Sequence, residues 1–398
     1  MSTDWQRKTE LVLSCARHLA PYAAEEAKAL GPRVSDADED SVTLEGTPLD
    51  ALRLNLWLRT AHRVLIPLGR FEAKNLDHLY RHCSELPWED WIDPDGYFTT
   101  HGTIRNDTIR DTRIAAMRLK DAIVDRIRSV HGRRPDSGNE DIGASVFLYW
   151  HERDLRIFID TSGMALSRRG YRLLPGKAPM QEALAAAAIM ATGWNPDTPF
   201  VAPMSGSGTP AIEAAMIAKR RAPGLTRKHF AFMSLAGFRR PMADGTTPED
   251  YWKSICEKAV SDERPSNDMP RIIATDISRE AIRISRANAK AAKMDPYITL
   301  GVCDFADTEL PPKPGVIFMN PEYGERMGER DALVPLYKRI GAWYGDHPDW
   351  NGCLFTSSPR LARATGLEPQ FLKPFFNGTL DCRLLSFGHT VKGKGSST

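Results

Sequence analysis

The sequence predicts an α/β protein whose second half is a doubly wound, mainly parallel sheet. Three observations carry this expectation. From about residue 178 onward, short apolar runs of strand character alternate with helical stretches. A glycine-rich loop, Ser205-Gly206-Ser207-Gly208-Thr209, falls between one such strand and one such helix. Polar residues able to bind a ligand (Asp276, Asp304 and Asn320) stand directly after three later strands. The first 170 residues mix short strands and helices without that alternation, which places a domain boundary near 170–178.

Taken in order, strands are expected at 11–14 and 41–44, with a helix over 20–30 between them. Residues 49–64 read as a helix leading into a strand at 65–69. An amphipathic helix covers 112–130, because Ile114, Met117, Ile123, Val124, Ile127 and Val130 fall near the helical period. Strands at 145–151 and 155–160 form a hairpin around Glu152-Arg153-Asp154. An Ala-rich helix over 180–193 opens the second half, followed by a strand at 200–203. The next helix, 210–221, carries Pro210 in its first turn, where a missing N–H costs nothing. Residues 222–270 read as a polar connection with one helix near 251–260. Then come a strand at 271–275, a helix over 279–292, and strands at 298–302 and 316–319. A helix over 333–344, a strand at 353–356 and a strand pair within 371–387 complete the pattern, and the last residues read as a flexible tail over 391–398.

Length and composition exclude several classes. With 398 residues, two or three domains are expected. Apolar content of 42% and charged content of 26% indicate a globular chain. The net charge of +2 does not by itself announce a nucleic-acid binder, although 53 Lys and Arg residues can still gather into a local basic surface. The six cysteines are widely separated and form no Cys-x-x-Cys pair, so neither a disulfide framework nor a metal site is expected. Isolated cysteines fit a reducing cytosol. No apolar signal region begins the chain and no run of about 18 apolar residues follows, so a cytoplasmic, membrane-free protein is expected.

Sheets of this kind bind ligands at the carboxyl ends of their strands, at the point where strand order reverses. The loop at 205–209 stands there; its glycines admit a ligand close to the backbone, and the next helix offers free N–H groups. The competing reading is a tight turn. Asp276, after the next strand, suits the two hydroxyls of a ribose; alternatively it caps the following helix, a task Ser278 is equally able to perform. The long insertion between loop and acid is wrong for a nicotinamide site. Asp304 suits an adenine amino group, or is a solvated loop acid.

Asn320-Pro321-Glu322-Tyr323 follows the fourth strand of the second half. An exocyclic base amine is a poor nucleophile because its lone pair is delocalised into the ring. Two acceptors aimed at its N–H bonds, the Asn320 amide oxygen and the Pro321 carbonyl, hold it in line with an electrophilic carbon and localise that lone pair. Tyr323 offers a face on which an extruded base can stack. The bland alternative is a β-turn.

These motifs bring a resemblance into view. Asn320-Pro321-x-Tyr323 resembles the Asn-Pro-Pro-Tyr motif of base-amine methyltransferases. Residues 203–209 resemble the Asp-Pro-Met-Cys-Gly-Ser-Gly-Thr cofactor loop of THUMP-containing RNA methyltransferases. The stretch from Asn106 through Asp125, together with Ser162-Gly163, Arg169-Gly170-Tyr171-Arg172 and 178–186, is similar to the first half of the bifunctional bacterial family that makes N2-methylguanine in 23S rRNA. The resemblance runs from about residue 10 to 385.

It implies a ferredoxin-like segment over 1–60, a THUMP RNA-binding domain over 61–170 and a Rossmann-like class I methyltransferase domain over 171–390, with a mainly parallel seven-stranded sheet. It implies S-adenosylmethionine as cofactor, RNA as partner and ribosomal RNA processing as the setting; a monomer is expected separately. By carry-over, Pro203, Ser205, Gly206, Gly208 and Thr209 hold the cofactor with Asp276 and its neighbour Ile277, and Asp304 and Phe305 lie near the adenine. Pro179 and Glu182 lie near the methionine part. Asn320, Pro321 and Tyr323, with Glu322 between them, hold the target base.

Three residues depart from the family pattern: Ala202 replaces an acid, Ser205 a cysteine and Glu322 a proline. Glu322 either accepts from guanine N1–H or pairs with Arg326, an exposed contact worth about 0–1 kcal/mol. Arg105, Arg110, Arg113, Lys120, Arg169 and Arg172 are the expected phosphate contacts, which position RNA rather than specify it. Rival readings are a tRNA guanine-N2 or adenine-amine methyltransferase, a non-catalytic RNA-binding or ribosome-assembly factor, and a small-molecule N-methyltransferase.

Overall fold

The computed structural model describes residues 4–107, 109, 111–140, 142–174, 180–324 and 327–388. The chain divides into two compact units. The first comprises residues 1–16, 20–168 and 222–261; the second comprises 17–19, 169–221 and 262–398.

Unit one is built on strands β1 (Thr9–Cys15), β2 (Arg33–Ala37), β3 (Ser41–Gly46), β4 (Ala61–Glu72), β5 (Tyr97–Arg105), β6 (Asp136–Ser137), β7 (Ala144–His151) and β8 (Asp154–Asp160). They form one sheet in the order β2-β3-β1-β4-β8-β7-β5-β6. Helices α1 (Ala20–Leu30), α2 (Pro48–Trp57), α3 (Leu76–Ser84) and α4 (Thr112–His131) belong to it. Helix α2 is shorter than expected. A Thr47/Asp50 capping box starts it, but Leu58 is already extended, and β4 begins at Ala61. The consecutive apolar Val64, Leu65 and Ile66 suit either period, so the sequence pattern ran the helix into the strand. Strand β5 was not among the expected strands, although its aromatic and β-branched residues have strand character. It pairs in parallel with β7 from Phe98↔Ala144 to Arg105↔His151, and Gly102 permits that approach, since a Cβ there would lie 2.0 Å from Leu148 O.

The segment 222–261 was expected within the 171–390 domain, but it packs into unit one. Its helix α7 (Pro248–Ser261) sets Trp252, Ile255 and Cys256 in an apolar cluster with Leu56, Trp57 and Ala222. Gly224 crosses so close to α2 that a Cβ would lie 2.8 Å from Leu56 Cα.

Unit two contains α5 (Glu182–Ala191), β9 (Phe200–Pro203), α6 (Thr209–Ala218), β10 (Ile272–Asp276), α8 (Arg279–Ala291), β11 (Ile298–Val302), β12 (Val316–Met319), α9 (Met327–Gly345), β13 (Asn351–Thr356), α10 (Pro359–Ala364), β14 (Phe371–Asn377) and β15 (Leu380–Ser386). Its seven-stranded sheet runs β11-β10-β9-β12-β13-β15-β14. The first five strands are parallel, and β15 runs antiparallel to both of its neighbours, β13 and β14. Strands β9 and β12 are buried at every position, as in a sheet covered on both faces. Val201, Ile273, Ile317, Met319 and Leu354 form one core with Tyr337, Ile340 and Trp343 of α9. The chain leaves β9 toward β10 on one side and returns as β12 on the other, so strand order reverses between β9 and β12.

Candidate donor and base site

The loop after β9 stands at that reversal. Met204 (φ 58°), Gly206 (φ 55°) and Gly208 (φ 80°) are left-handed and fold it sharply. Ser205 N–H donates to Thr275 O at 2.9 Å, and Gly208 N–H to Ser205 O at 2.8 Å. Helix α8 supports the loop from one side: Ser285 Oγ donates to Gly206 O at 2.8 Å and Asn288 Nδ2 to Ser207 O at 3.1 Å. A Cβ on Gly208 would lie 2.9 Å from Ser285 Oγ, so this glycine serves packing as well as conformation. At Gly206 nothing lies within 4 Å of where a Cβ would stand, which leaves room for a ligand against the backbone. Sequence reasoning missed Ser285 and Asn288. Their only signal is polarity on an otherwise buried face of α8.

Asp276 ends β10. Its Oδ2 accepts the Gly206 N–H at 2.9 Å and its Oδ1 the Ser278 N–H at 2.9 Å. The α8 cap is Ser278, whose side chain accepts from Ala281 N–H. Each carboxylate oxygen retains a second lone pair for a ligand hydroxyl. Beside it, Ile277 is 74% exposed, and Val302 at the end of β11 is 49% exposed. Two bare aliphatic side chains at adjacent strand ends suit a flat apolar ring. Asp304 Oδ1 accepts Ala306 N–H at 3.0 Å and Arg339 Nη2 at 2.8 Å, leaving Oδ2 without a partner among the described residues. Partial burial works to raise its pKa, but the Ala306 amide and Arg339 outweigh that and hold the carboxyl below its usual range. Phe305 is buried in the core, edge-on to Trp343, so its backbone rather than its ring is available to a ligand.

Asn320 follows β12, the strand paired in parallel with β9. Its Oδ1 is buried and has no hydrogen-bond partner among the described residues. A buried acceptor left unsatisfied costs about 1–3 kcal/mol, so it marks a place kept for a donor from outside. Pro321 is buried and Glu322 exposed. The rest of the segment is held from below. Tyr337 OH donates to Glu322 O at 3.2 Å, Arg330 Nε to Gly324 O at 3.2 Å, and Asn377 Nδ2 to the Tyr323 hydroxyl at 3.2 Å. Burial raises the Tyr323 phenol pKa, so it stays protonated.

Two of the six expected RNA contacts require correction. Arg169 is 1% exposed; its Nε lies 3.2 Å from Glu213 Oε1, which also accepts Tyr171 OH at 2.9 Å. Arg172 turns inward as well, donating to Met180 O at 2.6 Å and pairing with Glu182 Oε2 at 3.1 Å. Both guanidinium groups are turned onto acids inside unit two rather than out to solvent. Arg105 is exposed at the end of β5 and Lys120 is half-buried on α4. Arg113 is exposed and pairs with Asp111 at 2.9 Å. Arg110, Pro179, Arg326 and the 391–398 tail lie outside the described residues. Thr209, buried at the start of α6, pairs its hydroxyl with Ser207 Oγ at 3.2 Å. Pro203 is the buried last residue of β9, and Ser205 Oγ is buried and unpartnered among the described residues.

Among the described residues, no group of three or more His, Cys, Asp or Glu is placed to hold a metal ion, and no helix is long and apolar enough to cross a membrane.

Comparison with known proteins identifies the three parts of the chain, with 222–261 falling inside the methyltransferase match although it packs in unit one. Family models match the RlmL ferredoxin-like domain over residues 10–65, the THUMP domain over 73–148 and the RMKL-like methyltransferase domain over 169–386. A relative named ribosomal RNA large subunit methyltransferase K/L, from Syntrophotalea carbinolica, is 36% identical over 378 residues, covering 92% of this chain and 52% of that protein. The chain spans about half the length of the curated relatives of that name. The solved structure of SMU.472, described as a candidate methyltransferase complexed with SAH, has a TM-score of 0.86 at 26% identity, covering 98% of this chain and 100% of that one. A predicted N6-adenine-specific DNA methylase from Listeria monocytogenes has a TM-score of 0.83 at 30% identity, with 96% of each chain covered.

Proposed function

The chain belongs to the RMKL-like methyltransferase family, and from that membership we propose that it transfers a methyl group from S-adenosylmethionine to the exocyclic N2 amine of a guanine in RNA, in large-subunit ribosomal RNA before tRNA. The observation that carries this reading is the buried Asn320 Oδ1, unpartnered among the described residues, directly after the strand that pairs with β9, whose following loop holds Gly206.

The residues fit the donor. Asp276 offers acceptors for the ribose hydroxyls, Asp304 Oδ2 an acceptor for an adenine amino group, and Ile277 and Val302 an apolar edge. When bound, the sulfonium supplies an electrophilic methyl carbon. Asn320 Oδ1 and the Pro321 carbonyl take the two N–H bonds of the amine and set its lone pair along the line of attack. The nitrogen forms the new N–C bond as the C–S bond breaks. Sulfur keeps the electron pair, giving S-adenosylhomocysteine, and the nitrogen loses a proton to water. Tyr323, tethered by Asn377, supports the base from its face. Exposed Arg105, Arg113 and the half-buried Lys120 in unit one contact RNA phosphates.

The relative described as adenine-specific favours a second reading, methylation of an adenine amine, because the same two acceptors fit either amine. Mass spectrometry of rRNA and tRNA nucleosides from a strain lacking the gene tests both. Loss of N2-methylguanosine from large-subunit rRNA, restored by the wild type and not by Asn320→Ala, is expected. Loss of N6-methyladenosine instead, or of no nucleoside, overturns the guanine assignment.

A further inference from the structure

The segment after β12 carries one charge that the transfer step does not use. Glu322 stands between Pro321 and Tyr323. Its main-chain carbonyl faces the core, where the OH of fully buried Tyr337 donates to it at 3.2 Å. The same hydroxyl meets Thr356 Oγ1 at 3.2 Å, so the Glu322 backbone is fixed from the core side. Glu322 is nonetheless exposed, whereas Pro321 before it is buried and Tyr323 after it is half-buried. The carboxylate is therefore the part of this residue left open. Among the described residues no cation pairs with it. Arg330, which lies against the same segment, gives its Nε–H to Gly324 O at 3.2 Å.

An ionised carboxylate accepts hydrogen bonds and donates none. Consecutive residues thus present acceptors: the buried Asn320 Oδ1, the Pro321 carbonyl and the Glu322 carboxylate. The first two match the two N–H bonds of an exocyclic amine, and any amine-bearing base supplies those. The third distinguishes among such bases. In guanine the ring nitrogen beside the amine, N1, carries a hydrogen. In adenine and cytosine the corresponding ring nitrogen is an acceptor, and a carboxylate there meets it lone pair to lone pair. A seated base also covers the carboxylate, so a base with no donor for it leaves a charge unpaired and shielded from water.

We propose that Glu322 selects guanine by accepting its N1–H while Asn320 and Pro321 hold the N2 amine. This rests on the guanine-N2 reading and deepens it. Asn320 and Pro321 place the nucleophile, and Glu322 decides which base supplies it. Adenine, whose amine fits the same two acceptors, is rejected at the third.

The test compares two bases that share the amine and differ at N1. Large-subunit rRNA transcribed in vitro is labelled by the purified chain and the labelled position mapped. The RNA is then rebuilt by splinted ligation with 2-aminopurine at that position. 2-Aminopurine keeps the amine at C2, but its N1 is an acceptor. The ratio of kcat/KM for guanine over 2-aminopurine should fall roughly ten- to hundredfold in Glu322→Ala, the worth of one charge-assisted contact. Glu322→Gln should give a smaller fall, since its amide oxygen still accepts from N1–H. 2-Aminopurine also lacks O6, but that difference is common to wild type and variants and cancels between them. A folding or positioning defect slows both substrates alike and leaves the ratio in place. An unchanged ratio in Glu322→Ala therefore overturns the assignment. Wild-type label on an atom other than a guanine N2, or no label despite measurable S-adenosylhomocysteine binding, removes the guanine-N2 reading itself and the inference with it.

Discussion

The Asp276 carboxylate accepts the Gly206 amide at 2.9 Å, joining the end of β10 to the turn after β9. The acid thus shapes the loop, and on the proposed reading it also accepts from the donor's ribose. Asp276→Ala should lower S-adenosylhomocysteine affinity roughly ten- to hundredfold, because it removes the loop contact and the ribose acceptors together. Asp276→Asn should fall between, since an amide oxygen still accepts from Gly206. Calorimetry checks both, and unchanged affinity in Asp276→Ala would remove the ribose role.

Asn320→Ala separates transfer from donor binding. The single-turnover methylation rate should drop roughly 10²–10³-fold, the cost of one positioned acceptor where charge develops. Donor affinity should stay at the wild-type value. A variant as fast as the wild type would show that Oδ1 does not hold the amine.

The Arg169–Glu213 pair should act on stability rather than on RNA. Both side chains are essentially fully buried. Glu213→Gln leaves the guanidinium without a counter-charge and should cost about 3–5 kcal/mol. Replacing both partners, as Arg169→Met with Glu213→Leu, should cost much less, because no charge is stranded. Chemical denaturation measures this. A Glu213→Gln protein as stable as the wild type would contradict the burial argument.

The left-handed glycine turn, the Ser278 cap beside Asp276 and the position of the Asn320 segment after a strand were legible because each is local chemistry at a strand end. A glycine turn, an acid and a helix cap declare themselves within a few residues. Arg169 was not legible, since an arginine reads the same whether its partner is phosphate or a buried acid 44 residues away. Its one signal was on the other side: Glu213 is the lone charge in a helix otherwise of apolar and small residues. The docking of 222–261 onto unit one was hidden for a similar reason. Trp252 and Ile255 stand three residues apart on one face of α7, which shows that the helix is covered but not by what.

The most direct test of the central claim is transfer in a purified system. The purified 398-residue chain, methyl-labelled S-adenosylmethionine and large-subunit rRNA from a strain lacking the gene should yield labelled N2-methylguanosine on nucleoside mass spectrometry, and Asn320→Ala should yield little or none. Label on another atom, or none despite measurable donor binding, would contradict the account.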